Sequence, residues 1–419
     1  MDEILSFWAQ WLRPSAGLPT VQWSLLLAVA AISGYLFQRH IGLPKVVGYT
    51  LVGTIAGLLG FTGAVWPLQG ISLFLLELGI ALVLFEAGGR IPLRWFRHNP
   101  MVLVQSIAES ALTYFAVYYV LIWLDVPQRA AGPLALVALA ASPAVLSRVI
   151  ADTRAAGPVT DRAMVLATLS TLYALTLGSA TAELINRPVA RIMDTMYPVM
   201  VVLGVSVIVG AVLALVLRMA LRFMSPTSEN TSFLLLTLIA AGTAVAAHMG
   251  GSAPLAALLA GMLLKQLNPR PWAWPRQMGT ASSLLTMLMF VLVSTVAAQA
   301  DWSGPVAGVV LALIVVRLAA KAVGVAVGNV GSGASWRQAL WVGCAMTPMS
   351  SIALLIASQF VVASASTGQL IARVALPAIL LMEVLGAVIA TVAIYRAGES
   401  SKPWAPLSRA GNGDNSRES

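Results

Sequence analysis

The chain has 419 residues, of which 59% are hydrophobic and 10% charged, with a mean hydropathy of +0.86. A soluble domain has no interior large enough for that much apolar surface, so water-soluble enzymes and binding modules are excluded and a membrane protein remains. The net charge of +9 comes from 25 Lys and Arg residues scattered singly between apolar blocks, a distribution that sets membrane topology and forms no phosphate-binding patch, so nucleic acid is not an expected partner.

The opening residues Met1 to Arg13 include Trp8 and Trp11 among apolar neighbours, and they read as an interfacial helix in a periplasmic segment, 1–19. The start is not basic, so no cleavable signal is expected. Apolar blocks of about 20 residues then follow one another, which argues for a polytopic all-α protein and against a single anchor or an alternating β-barrel. The first six predicted spans run roughly 20–38, 42–60, 70–89, 99–124, 132–152 and 161–184. The next seven run roughly 196–222, 230–248, 251–267, 280–299, 304–328, 337–360 and 370–396, giving about thirteen in a transmembrane domain over 20–396. From 397 to 419 the chain is polar and rich in Ser, Gly and Asn, and reads as a disordered cytoplasmic tail.

Basic residues alternate between the connections. Arg39 and Lys45, then Arg90, Arg94 and Arg97, then Arg148, Arg154 and Arg162, mark one side. Arg218, Arg222, Lys265, Arg270, Arg276, Arg337 and Arg396 continue that series, whereas the opposite connections hold Arg13, Arg129, Arg187 and Arg191. Positive charge is retained on the cytoplasmic side, so the expected topology in the inner membrane has the N-terminus outside and the C-terminus inside.

Three local matches recur about 205 residues apart: Ala56-Gly57-Leu58-Leu59 with Ala260-Gly261-Met262-Leu263, Phe85 with Phe290, and Ser142-Pro143 with Thr347-Pro348. Each pair is separated by seven predicted spans, an odd number, so the halves point in opposite directions: an inverted repeat. Pro143 and Pro348 fall inside apolar spans, where proline removes one backbone hydrogen bond and clashes with the preceding turn. Two interrupted helices crossing at mid-membrane would expose half-helix ends there, with Ser142, Thr171, Thr347, Ser350 and Ser351 as candidate ion or substrate ligands.

Ionisable residues inside spans are expensive unless they pair or serve a pathway. They are Glu77, Glu86, Glu109, Arg317, Lys321 and Glu383, with Arg373 nearer a helix end. Glu109 lies in the polar stretch Gln105-Ser106-Ile107-Ala108-Glu109-Ser110 and reads either as a structural partner for a buried cation or as a proton-titrating carboxylate. Arg317 and Lys321 are spaced to share one helix face, with snorkelling to the headgroups as the alternative, better suited to Lys321. The single cysteine, Cys344, supports neither a disulfide framework nor a cysteine metal site, and no GxGxxG or Walker-type loop offers a nucleotide site, so no metal or cofactor is expected.

Gly42-Leu43-Pro44-Lys45-Val46-Val47-Gly48-Tyr49 with Gly53 and Gly57, Glu77-Leu78-Gly79 through Phe85 and Gly88, Ser142-Pro143-Ala144-Val145 and Met346-Thr347-Pro348 resemble the monovalent cation:proton antiporter superfamily, especially the branch that includes glutathione-gated potassium efflux proteins. The resemblance covers nearly the whole membrane region. It implies crossed helices in a core domain, a separate dimerisation domain and hence a homodimer, alternating access, and exchange of sodium or potassium for protons rather than enzymatic catalysis. In that family an Asn-Asp, Gln-Asp or Asp-Asp pair follows some ten residues after the arginine matched by Arg162; here those positions read Thr171 and Leu172. Where the family often has Arg-Gly-Glu after the second break, this chain has Met349-Ser350-Ser351, and Arg317 or Lys321 stands where the family keeps a basic partner. Without the aspartate, Glu109 is the expected proton-coupling carboxylate. Two other readings stay open: transport of another solute such as an anion, drawn by half-helix N-termini and Arg317, and a transport-inactive sensor or partner subunit.

Overall fold

A computed structural model describes residues 18–61, 66–68, 70–91, 96, 99–185, 192–224, 228–268, 276–300, 302, 304–330 and 332–401. The expected interfacial helix over 1–13 and the tail from 402 onward lie outside them.

The described chain is helical throughout. The first four helices are α1 (Leu18–Leu36, continued by a π-turn, Phe37–Ile41), α2 (Lys45–Leu58), α3 (Gly70–Gly89) and α4 (Met101–Trp123). Two short helices, α5 (Gln128–Leu139) and α6 (Pro143–Thr153), form one interrupted span, followed by α7 (Pro158–Leu184). Then come α8 (Ile192–Phe223), α9 (Glu229–His248), α10 (Ala253–Leu267), α11 (Arg276–Ala298) and α12 (Gly304–Val327). The second interrupted span is α13 (Trp336–Ala345) with α14 (Ser351–Ala363), and α15 (Ala365–Arg396) closes the domain. Counting each interrupted helix once leaves the thirteen expected spans. Among the described residues ten helices are long and apolar enough to cross a membrane, and α2, α10 and α14 are shorter apolar helices. Several helices outrun their apolar blocks: α15 begins at Ala365 rather than near 370, because once a turn is formed each added residue needs to fix only its own dihedrals to gain a hydrogen bond.

The inverted repeat is visible in the packing. It maps α2 onto α10 and α3 onto α11, so the contact of α2 with α11 and that of α3 with α10 are images of one another. Lipid tails give apolar helices no hydrophobic reason to associate, so close backbone approach through small residues must hold such pairs. Gly57 of α2 sits on Thr295 and Ala298 of α11, and its matched residue Gly261 of α10 sits on the Phe85 carbonyl of α3. The sequence matches therefore mark the two crossing points.

The helices that the repeat places on its axis, α4 and α12, also touch backbone to backbone. A Cβ on Gly324 would come 2.6 Å from the Glu109 Cα, and one on Gly328 would come 2.5 Å from that of Gln105. The interrupted helices lie inside the bundle, with 78% of the Gln128–Thr153 window buried against 11% of the window in Val21–Ile41. On α1, Val21, Leu25, Val29 and Ile32 point outward.

One boundary differs from expectation. Residues just beyond α15, assigned by composition to the tail, are ordered against the α6–α7 turn. Glu399 accepts hydrogen bonds from the backbone N–H groups of Val159 and Thr160 and from the Thr160 hydroxyl, each at 2.7 Å. Ser400 and Ser401 donate to the carbonyls of Thr153 and Arg154. A carboxylate at the N-terminus of α7 satisfies amides that have no partner within the helix, and composition alone does not reveal such a partner.

Candidate functional site

Each interruption leaves particular carbonyls without helical partners. Proline lacks an N–H, so Pro143 cannot bond the Leu139 carbonyl and Pro348 cannot bond that of Cys344. At the first break the Ser142 hydroxyl accepts from the Val145 amide at 3.3 Å and caps α6. At the second, the Thr347 amide and hydroxyl both donate to the Cys344 carbonyl, the hydroxyl at 2.8 Å.

Arg317 joins the two breaks. Its side chain is fully buried, donating from Nε to the Ala138 carbonyl at 2.7 Å and from one terminal nitrogen to those of Ala140 at 2.8 Å and Pro348 at 3.4 Å. The other terminal nitrogen donates to the Thr347 carbonyl. The breaks therefore meet at one guanidinium, whose planar fork of donors suits several acceptors at once.

One turn further along α12, Lys321 is equally buried and has a different environment. Its ammonium lies 2.5 Å from Glu109 Oε1, 3.2 Å from the Leu139 carbonyl released by Pro143, and 3.4 Å from Ser170 Oγ. Glu109 is held from α4 and α7 together: Thr113 donates to Oε1 at 3.2 Å, and Ser110 and Ser170 to Oε2 at 3.2 and 3.1 Å. All three hydrogen-bond partners of the ammonium are oxygens, one of them charged. Such a set also suits a desolvated monovalent cation, since a hard cation takes carboxylate, carbonyl and hydroxyl oxygens.

The sequence candidates divide around this cage. Glu109 and Lys321 form it, and snorkelling is excluded for Lys321, whose side chain has no solvent exposure. Thr171 adjoins it, donating to the Ala141 carbonyl at 3.2 Å and the Ala167 carbonyl at 2.8 Å. Ser142 and Thr347 stabilise the breaks themselves, as do Pro143 and Pro348. Ser350 and Ser351 lie at the start of α14 away from the cage, Ser350 donating to Glu383 at 2.6 Å. Leu172, where spacing placed the missing aspartate, is turned toward an apolar cavity lined by Ile107, Tyr114 and Tyr173, which Ser110 and Leu139 border on the side of the cage. The inward positions are 170 and 171. Ser170 was missed because the ten-residue spacing pointed past it, yet its hydroxyl beside Thr171 is the polar pair that a helix can turn inward together.

A family model described as "Sodium/hydrogen exchanger, transmembrane" matches residues 27–396, nearly all of the helical domain. The chain belongs to that family. It is a multi-pass secondary transporter of the monovalent cation:proton antiport class, with the fold expected from the resemblance. No curated protein matches in sequence. Among solved structures, one of the sodium proton antiporter MjNhaP1 from Methanocaldococcus jannaschii at pH 8 is similar, with 15% identity, a TM-score of 0.67, and coverage of 90% of this chain and 98% of that one. An electron-microscopy structure of MjNhaP1 gives 16% identity and a TM-score of 0.68, covering 95% of this chain and 99% of that one. At such identity the likeness shows the common fold.

Proposed function

We propose that a monovalent cation and the Lys321 ammonium compete for one oxygen cage, and that this competition couples the cation to the proton. The observation that carries the proposal is the ammonium seated among Glu109 Oε1, Ser170 Oγ and the Leu139 carbonyl. A cation entering the cage takes over the Glu109 carboxylate, and Lys321, left buried beside Arg317 without its counter-charge, releases a proton and remains as a neutral amine. One cation enters and one proton leaves, so the charge of the cage is unchanged. Reprotonation from the other side expels the cation, and relative movement of the interrupted helices changes the side to which the cage opens. Glu109 is thus the cation's ligand and Lys321 the proton carrier, a reversal of the roles expected from sequence.

The anion reading loses its support, because the Arg317 guanidinium is engaged with four carbonyls. Orientation with the C-terminus inside is supported by contacts gathering the basic connections at one end, where the Lys45 amide meets Asp152, Arg148 meets Ser283 and Arg162 meets Ser332. Residence in the cytoplasmic membrane and a homodimeric assembly follow as expectations from the family resemblance.

The test is reconstitution into proteoliposomes with a pH-sensitive dye, adding sodium, potassium, chloride and organic anions in turn. Sodium or potassium should move protons in the parent protein and fail to do so in Glu109→Gln and Lys321→Gln. Robust exchange in both variants would refute the cage.

A further inference from the structure

Residues 347–350, between α13 and α14, lie outside any helix, and at membrane depth such a stretch keeps its shape only through what it is bonded to. Arg317 holds it from one side, through the carbonyls of Thr347 and Pro348. Helix α15 holds it from the other, and packs besides on α5, α12 and α13. A Cβ on Gly386 would stand 2.5 Å from the Pro348 Cα, so the two backbones touch there. One turn earlier on the same face of α15, Glu383 has no exposed surface, and its Oε1 accepts from the Ser350 hydroxyl at 2.6 Å.

At Ser350 the chain becomes helical again: its carbonyl receives the Leu354 amide at 3.2 Å, an opening rung of α14. Tying the Ser350 side chain to α15 therefore fixes where α14 starts, and with it the direction of the Thr347 and Pro348 carbonyls that Arg317 uses. Arg317 passes the constraint on. It donates to the carbonyls of Ala138 and Ala140, and Leu139, the residue between them, offers its own carbonyl to Lys321 Nζ and Ser170 Oγ, each at 3.2 Å. Each step from Glu383 to that cage oxygen is a hydrogen bond or a stretch of backbone a few residues long. The carboxyl itself stops short of the cage, since Oε1 bonds Ser350 and Oε2 has no partner among the described residues.

We propose that Glu383 is a positioning residue of the transporter: by anchoring Ser350 it holds the second break against Arg317, and through Arg317 it sets the Leu139 carbonyl as a cation ligand. An acceptor oxygen is all this requires, and a side chain that keeps one at Oε1 does the same. Outer-shell groups that orient a ligand change ion affinity by roughly ten- to a hundredfold when removed, and this one acts through Ser350 and Arg317 in turn, so the lower figure, about tenfold, is expected. The anchoring of the break stands by itself, whereas its effect on the cation rests on the cage reading above.

Thermal unfolding of the full chain in detergent reads the anchoring without transport, so failure of the cage reading leaves this test standing. Ser350→Ala and Arg317→Lys release the same break, and the double variant should lose less than the sum of the two single losses. Strictly additive losses would show two independent sites and overturn the proposal. In proteoliposomes, Ser350→Ala and Glu383→Leu should raise the half-saturating cation concentration about tenfold while the maximal rate stays close to that of the parent, because Glu109 and Lys321 are untouched. A merely structural loss would do the reverse, lowering the rate with the amount of folded protein and leaving the affinity alone. Glu383→Gln keeps an acceptor for Ser350 and places its amide nitrogen where Oε2 has no partner, so it should restore the parent affinity. An affinity unmoved by Ser350→Ala, a measurement that does not depend on Glu383→Leu folding, or a Glu383→Gln variant as impaired as Glu383→Leu, would overturn the proposal.

Discussion

Arg317 and Lys321 share a helix face, and only their partners separate their roles. Arg317 reaches carbonyls of both breaks, which a single ammonium on a flexible stem cannot do with the same geometry. Arg317→Lys should therefore leave carbonyls unpaired and destabilise the protein by ~3 kcal/mol, the scale of one or two lost hydrogen bonds to a charged group, measured as thermal unfolding in detergent. A Lys variant as stable as the parent would show that the breaks hold without the guanidinium. The sequence exposed both cations and Glu109, since an ionisable group in an apolar run stands out at once. It could not place the lost aspartate, because each helical residue turns by about 100° and a slip of one position in a family spacing selects a different face. Thr171→Asp should accordingly add a titrating group beside the first break and shift the pH dependence of exchange more than Leu172→Asp, which faces the apolar cavity. Transport assayed across pH in the two variants decides between the positions.

The pairing of α4 with α12 determines whether the cage exists, because Glu109 and Lys321 come from these two helices. Gly324 permits that approach, whereas Gly308, on the same helix, faces open space, with no atom close to the position a Cβ would take. Gly324→Val should push α4 from α12, separate the ion pair and abolish exchange, since a buried pair broken on one side loses ~3–5 kcal/mol. Gly308→Ala should be close to neutral, which makes it the internal control, and equal activity and thermal stability in both variants would refute the close-packing account. At this scale the sequence was most informative. Apolar length located the spans, and Pro143 and Pro348 located the breaks. The identity of the packing pairs was only partly legible: the Gly57 and Gly261 match signals a repeated structural position, but no pattern within one helix states which helix will lie against it.

Across the whole molecule, residues 399–401 tie the end of α15 to the core. Glu399 caps α7, the helix that supplies Ser170 to the cage, while α15, which precedes Glu399, carries Glu383. Helices α7 and α15 are consequently joined at the basic end of the bundle. Composition concealed this link, because a Glu among Gly and Ser reads as solvated chain until its acceptor geometry is known. Movement of the core during alternating access must carry α7 and the end of α15 together, or break the strap. Glu399→Ala removes a carboxylate from three donors and from a helix N-terminus, an effect of ~1–2 kcal/mol on the local structure. Amide hydrogen exchange should then rise at residues 157–161 and around Ser400, with α4 and α12 at the cage unchanged. If the strap restrains the moving body, the same variant should also change the turnover rate of exchange while leaving the apparent cation affinity as it was, because no cage oxygen is touched. Unchanged hydrogen exchange at 157–161 would show that the N-terminus of α7 is held by its own helix, and that the contact with Glu399 is incidental to movement of the core.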